Sequence, residues 1–107
     1  MTAYLDNSAT TPVCSEAVEA MKTAVTELWG NPSSLHQKGI EADEMLENAR
    51  SNVARRLFCR DDEVYFTSGG TESNNLAVQG AAHAMRRRGR RIVTTSVEHP
   101  SIDETVK

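Results

Sequence analysis

Cysteine is scarce in this sequence: Cys14 and Cys59 are the only two thiols in 107 residues. Neither a CxxC motif nor metal-type spacing relates them, which excludes a dithiol redox motif and a zinc knuckle. Both read as small packed side chains kept reduced. Aromatic side chains make up just 5% of the chain, which limits the supply of large core residues. No apolar run approaches the ~20 residues of a membrane-spanning helix, and the start of the sequence lacks the basic and apolar regions of a secretion signal. The expectation is a cytoplasmic protein with no membrane partner. An excess of positive charge is missing too. The 12 Lys and Arg against 15 Asp and Glu give a formal charge of -3, which argues against general nucleic-acid binding. The one basic cluster, Arg86-Arg87-Arg88-Gly89-Arg90-Arg91, follows a helical pattern, where cations complement the carbonyl end of the helix dipole. No grouping of Cys, His and carboxylates has metal-ligand spacing, so no metal is expected.

What is present alternates helical and extended patterns. Ser15 is placed as the N-cap of a helix carrying Val18, Met21, Val25, Leu28 and Trp29 on one face. Gly30-Asn31-Pro32 ends it, because glycine accepts left-handed geometry and a residue before proline is pushed out of the helical region. A second helix is predicted over about 40–57, with Ala42, Met45, Leu46, Ala49, Val53 and Leu57 in register. There follow a strand around 64–67, a glycine turn, a third helix over about 71–87 and a second strand over 92–96. The small residues Ala77, Gly80, Ala81, Ala82 and Ala84 suit a helix buried on more than one side. Ser101 and Glu104 match a capping box that opens a fourth helix. The fold class expected is α/β with a parallel sheet, three helices plus two short strands. Two short strands do not complete a sheet, so residues 1–107 read as a single incomplete domain and a part of something larger.

The segment Thr67-Ser68-Gly69-Gly70-Thr71-Glu72-Ser73-Asn74-Asn75 turns from the first strand straight into the third helix. Glycines there let the backbone approach a ligand, and the first amides of the helix point at it with the positive end of the dipole. Ser68 and Thr71 add hydroxyl donors, so the turn reads as a phosphate cradle. It has neither the Gly-Lys-Ser/Thr ending of a P-loop nor a GxGxxG pattern, and the alternative for its glycines is tight packing alone. His99 falls just past the second strand, at the sheet edge where ligands of open α/β folds gather. It is either held in a turn before Pro100 or an imidazole that stacks on a planar ligand or moves protons. His36 lies in a loop, where a structural hydrogen bond and a substrate contact both remain open. His83 reads as a packed or surface side chain.

Four blocks, "YLDNSATTP", "GNPSSLHQKG", "FTSGGTESNNLAVQG" and "TTSVEHPSI", together resemble the N-terminal part of the cysteine desulfurases. These are class V, aminotransferase-like enzymes of fold type I that use pyridoxal 5'-phosphate. The blocks occur in the family's order and cover nearly the whole chain. The resemblance implies an entrance segment over 1–14, with the start of the large, cofactor-binding domain over 15–107. It implies that Gly70 and Thr71 hold the cofactor phosphate and that His99 stacks over the pyridine ring and assists proton transfer. Asn7, Ala9 and Thr10 resemble the part that lies by the substrate entrance. The implied reaction takes L-cysteine to L-alanine and leaves sulfur as a persulfide on an enzyme cysteine, for iron-sulfur cluster or thio-cofactor synthesis. The implied partners are a second copy, as a homodimer, and a sulfur-acceptor protein.

Four parts that the family's chemistry requires have no match in this sequence. They are the lysine that carries the cofactor, the aspartate facing the pyridine nitrogen, the glutamine or asparagine near the ring oxygen, and the cysteine that accepts sulfur. Lys22, Lys38, Lys107, Cys14 and Cys59 match none of these positions. The expectation is a chain that is inactive by itself, although its parent is an enzyme. Two other readings stay open: a non-catalytic assembly or interaction module, and part of another enzyme of the same fold type, such as a selenocysteine lyase. Apolar faces left uncovered by an incomplete sheet would favour self-association.

Overall fold

Helix α2, Gln37–Leu57, shows how local chemistry sets the boundaries in this chain. The computed structural model describes residues 3–107, which form two compact units, one running through Val64 and one from Tyr65. The first carries α1 (Ser15–Thr26), α2 and a single 3-10 turn, Asp61–Glu63. The second carries α3 (Gly70–Met85) and α4 (Pro100–Asp103).

In the first unit, α2 starts earlier than its apolar periodicity indicates because His36 caps it. The His36 Nδ1 accepts the Gly39 N–H at 3.3 Å, which supplies one of the acceptors that a helix start lacks. The loop before α2 packs backbone against backbone. A Cβ on Gly39 would stand 2.1 Å from the Ser34 carbonyl oxygen, and one on Gly30 would stand 1.9 Å from that of Lys38. Only hydrogen fits at either place. At its other end α2 closes on Phe58, which adopts the left-handed conformation with φ 56 and ψ 38. The Cys59 N–H then reaches back to the Ala54 carbonyl at 3.1 Å, the six-to-one bond of a Schellman motif. The chain folds back along α2 because the Arg50 guanidinium donates to the Val64 carbonyl and the Ser51 hydroxyl donates to the Asp61 carboxylate. Val64 is buried, as are Ala42 and Ala54 on α2.

Helix α1 departs from expectation at its cap. Cys14, not Ser15, is the N-cap residue and makes no side-chain bond, while the Ser15 hydroxyl donates to the Glu16 carboxylate at 3.1 Å. Leu28 and Trp29 lie beyond the last turn of α1, so its apolar face is shorter than the periodicity suggests.

In the second unit α3 packs on α4, and a polar bond joins them: the Asn74 amide donates to the Ser101 hydroxyl at 2.8 Å. Among the described residues Ser101 is the buried polar one. Two expectations are corrected here. No described residue lies in a strand, so the segments 64–67 and 92–96 do not form the two short strands, and no α/β sheet is formed among the described residues. A strand exists only where another supplies its ladder of hydrogen bonds, and neither segment finds one. Nor is α3 buried on several sides, since none of its residues is buried. It ends at Met85, so the arginine cluster follows the helix. The Ser101–Glu104 capping box does not form either. His99 is the N-cap, with Pro100 in the first turn, a position where a missing N–H costs nothing.

Full burial of a large apolar side chain contributes about 1.5–3 kcal/mol, and few residues here collect it. Leu35 and Phe58 are 95% and 96% exposed, so end-capping and backbone fit weigh heavily in the stability of each unit. Substituting Gly39→Ala is expected to destabilise by about 1–3 kcal/mol through the clash with Ser34. Phe58→Gly is expected to stabilise by about 1 kcal/mol, because glycine takes the left-handed conformation without strain and the exposed ring loses no burial. Thermal unfolding followed by circular dichroism checks both: the midpoint falls for the first variant and rises for the second.

Candidate functional site

The glycine turn opens onto α3 with donors to spare. Within α3 the first backbone bond runs from the Ser73 N–H to the Gly69 carbonyl, at 3.1 Å. The amides of Gly70, Thr71 and Glu72 therefore have no partner among the described residues. Gly69, the N-cap residue, has an extended backbone and no side chain to cap with. A Cβ on Gly69 or Gly70 would meet nothing within 4 Å, so tight packing within this chain does not account for the glycines, and the space beside the free amides is open. Three N–H groups and the positive end of a helix dipole meet there.

The turn is held from behind by its own side chains. One oxygen of the Glu72 carboxylate accepts both the Ser68 N–H and the Ser68 hydroxyl, each at 2.7 Å. Those two bonds, the backbone one first, hold the Glu72 carboxyl below the usual carboxylate value. Thr67 and Ser73 join hydroxyls at 2.7 Å, and Thr67 also donates to the Gly69 carbonyl at 3.2 Å. The Thr71 hydroxyl makes no bond among the described residues.

Thr71 lines a pocket of about 370 Å³ together with Asn75, His99, Ser101 and Glu104. Thr71 and Asn75 share a helix face at a spacing of four, and the Asn75 amide donates to the Thr71 carbonyl at 2.9 Å. His99 is fixed by its Nδ1, which accepts the Ser101 N–H at 3.1 Å and lies 2.8 Å from the Ser101 hydroxyl oxygen. Thr71, from the first turn of α3, thus shares one pocket with the His99 imidazole, and the unpartnered amides lie at the start of that same helix. The combination suits a ligand with an anionic end and a planar ring.

The structure brings together two of the expected site residues, Thr71 and His99, around one pocket, with Gly70 preceding Thr71 at the helix start. Asn7, Ala9 and Thr10 belong to the first unit. There the N–H groups of Ala9 and Thr10 both point at the Asp6 carbonyl, at 3.1 and 3.4 Å, and Asn7 accepts the Thr11 hydroxyl at 2.9 Å. Asn7 and Thr10 line a separate pocket of about 540 Å³ with Tyr4, Thr11 and Pro12, and Ala9 does not. His36 serves as a helix cap, and His83 lies exposed against the Arg86 guanidinium. Cys14 is exposed, and Cys59 is half-buried with its thiol toward the Ala54 carbonyl. Among the described residues no group of His, Cys, Asp and Glu could hold a metal, and no helix is long and apolar enough to cross a membrane.

Sequence reading missed Asn74, Asn75 and the Ser101 hydroxyl as parts of this site. The spacing of Thr71 and Asn75 signals a shared face. The Asn74–Ser101 bond spans 27 residues and leaves no local signal.

Comparison with known proteins gives one consistent result. Residues 3–106 match the Aminotransferase class-V family. A "NifS/IcsS protein homolog" of Lactobacillus delbrueckii subsp. bulgaricus is 53% identical over 102 residues, covering 95% of this chain and 26% of the relative. A cysteine desulfurase IscS of Dictyoglomus turgidum is 48% identical over 101 residues, 94% of this chain and 26% of that protein. One from Methanosarcina thermophila is 48% identical over 102 residues, 95% of this chain and 25% of that protein. A solved structure of a NifS-like protein superimposes with a TM-score of 0.87 at 42% identity, covering 99% of this chain and 29% of the other. The chain therefore spans about a quarter of the length of the curated relatives it matches.

The hold of Glu72 on Ser68 generates a pH prediction. A carboxyl whose folded-state pKa is lowered contributes stability that is present above its unfolded value and is lost as pH falls through the folded one. Protection of the Ser68 amide is expected to be full at neutral pH and to disappear on acidification below the ordinary carboxylate range. Glu72→Gln should abolish that acid dependence. An NMR titration of the Ser68 amide reads it directly, and an amide indifferent to both changes would mean that the pin does not form.

Proposed function

The chain belongs to the aminotransferase class-V family, and from that premise we propose that it is the portion of a cysteine desulfurase that holds the phosphate of pyridoxal 5'-phosphate and covers its ring. One observation carries the reading: the free amides of Gly70, Thr71 and Glu72 open at the start of the helix whose Thr71 shares a pocket with His99. A phosphate dianion fits that end. It finds three backbone N–H donors, the unbonded Thr71 hydroxyl, the positive helix terminus and no Cβ on Gly69 or Gly70 to keep it away.

Pyridoxal phosphate, when bound, supplies an electron sink for the carbon that bears the substrate amine. The residues of this chain do the rest of the local work. Gly70 and Thr71 anchor and orient the anionic end. His99, with Nδ1 tied to Ser101, offers its ring face and holds a proton at Nε2. Asn7, Ala9 and Thr10 are the proposed entrance segment, within residues 1–14, the first two of which lie outside the described residues. Residues 15–107 are the proposed start of the cofactor-binding domain.

The names borne by the relatives extend the proposal to the reaction of the whole protein. Its substrate is L-cysteine, its products are L-alanine and a persulfide on a cysteine, and its sulfur goes to an acceptor protein for iron-sulfur cluster or thio-cofactor synthesis. The working form is a cytoplasmic homodimer. A second reading, an assembly module, draws support from one observation, the exposure of large apolar side chains such as Leu57, Tyr65 and Val93.

Two measurements test the proposal. Pyridoxal phosphate titrated into the chain is expected to shift the Gly70 and Thr71 amide resonances, and Thr71→Val is expected to weaken binding about tenfold, the loss of one hydrogen bond to a charged group. Binding that ignores the Thr71 hydroxyl overturns the phosphate assignment. The chain is also expected to release sulfide from L-cysteine no faster than free cofactor does, because none of its lysines or cysteines matches the family's reactive positions.

A further inference from the structure

Behind His99 stands a short chain of hydrogen bonds whose directions can be read without ambiguity. The Ser101 N–H lies 3.1 Å from His99 Nδ1, and a backbone N–H can only donate, so Nδ1 carries a lone pair. The Ser101 oxygen lies 2.8 Å from that same Nδ1. Since Nδ1 has no proton to give, the proton between them belongs to Ser101. The Asn74 amide nitrogen lies 2.8 Å from the Ser101 oxygen. With the serine proton already committed, Asn74 must be the donor there. A neutral imidazole with its lone pair on Nδ1 carries its proton on Nε2. Nε2 itself bonds to nothing among the described residues. Ser101 is only 9% exposed, so water competes poorly for its hydroxyl.

We propose that Asn74 and Ser101 are positioning residues that fix His99 as the Nε2–H tautomer, so that its free nitrogen presents a hydrogen-bond donor and not a lone pair to a ligand in the pocket. The proposal rests on the reading of His99 as the residue that faces the cofactor. In the resting state His99 then recognises a ligand atom that accepts a hydrogen bond, such as a carboxylate or ring oxygen, and does not act as a base at Nε2. Asn74 comes from α3, the helix that carries the phosphate donors. The tautomer of His99 is thereby coupled to the packing of α4 on α3.

Long-range proton–nitrogen NMR on the nitrogen-15-labelled chain, with the ring neutral, distinguishes the two ring nitrogens of His99. The expected spectrum shows an acceptor-type Nδ1 and a protonated Nε2, well separated. Ser101→Ala removes the hydroxyl donor and leaves Nδ1 the backbone N–H alone, and Asn74→Asp replaces an amide donor with an acceptor that draws the serine proton away from Nδ1. Both are expected to move the two nitrogen resonances toward each other, while Ser101→Thr, which keeps the hydroxyl, leaves them apart. A wild-type spectrum with Nδ1 protonated, or averaged between tautomers, overturns the proposal, and so does a pair of unmoved resonances in both Ser101→Ala and Asn74→Asp. The wild-type measurement decides even if a variant fails to fold. The readout needs no cofactor, so failure to bind pyridoxal phosphate would sink the functional reading and leave the tautomer assignment standing. A mixed tautomer with intact phosphate binding would do the reverse.

Discussion

Every helix begins with backbone N–H groups that have no acceptor inside the helix, and how this chain answers that requirement arranges everything else in it. At α2 the answer is His36, and at α4 it is His99. At α1 no side chain caps the first turn, and the acidic Glu16 there complements the positive end of the helix dipole. The 3-10 turn uses Glu63, which accepts the Arg60 N–H at 2.8 Å. Helix α3 has a suitable carboxylate as well, yet Glu72 reaches back to Ser68 instead of to its own turn. The donors of Gly70, Thr71 and Glu72 stay open as a result. A helix start left unanswered beside two glycines is a place where an external anion completes the structure.

Burial explains why these end-caps matter so much. Among the large apolar side chains of the described residues only Val64 is buried, and Ala42 and Ala54 are small. The faces that periodicity assigns to packing, Met21 and Val25 on α1 or Leu57 on α2, lie largely exposed. Their spacing states correctly that each helix has an apolar side, but it does not state what covers that side. With little hydrophobic burial to draw on, single capping bonds of about 1 kcal/mol and close backbone approaches such as that of Gly39 to Ser34 decide the local conformation.

Much of the candidate site was legible in the sequence, for a reason that can be named. The donors of the glycine turn belong to consecutive residues, so a local reading of Gly69, Gly70 and Thr71 captures them. The three long helices also followed from periodicity, with ends displaced by a few residues where a cap was misassigned: Ser15 for Cys14, and Ile40 for the His36-capped start at Gln37. The failures were non-local. The segments 64–67 and 92–96 have strand-like composition, but a strand is a property of two segments, and neither finds a partner among the described residues. Ser101 and Glu104 satisfy the spacing of a capping box, and the box lost to a histidine two residues upstream that caps the same turn and to an asparagine on another helix that takes the serine hydroxyl.

The two histidine caps differ in how firmly each ring is fixed. His36 and His99 use the same atom in the same way, Nδ1 accepting a backbone N–H in the first turn of the following helix. At His36 the bond is longer, 3.3 Å, and the same Gly39 N–H also points to the His36 carbonyl at 2.8 Å. The ring is one of two acceptors for a single donor, which is enough to start a helix and specifies little more. At His99 the arrangement is inverted: one ring nitrogen receives two donors, and the second of these is itself held by Asn74. A cap alone needs only one of those bonds. The additional ones fix the orientation and proton position of a ring whose other nitrogen is unbonded among the described residues and whose pocket is shared with Thr71, a degree of fixing that helix capping does not require.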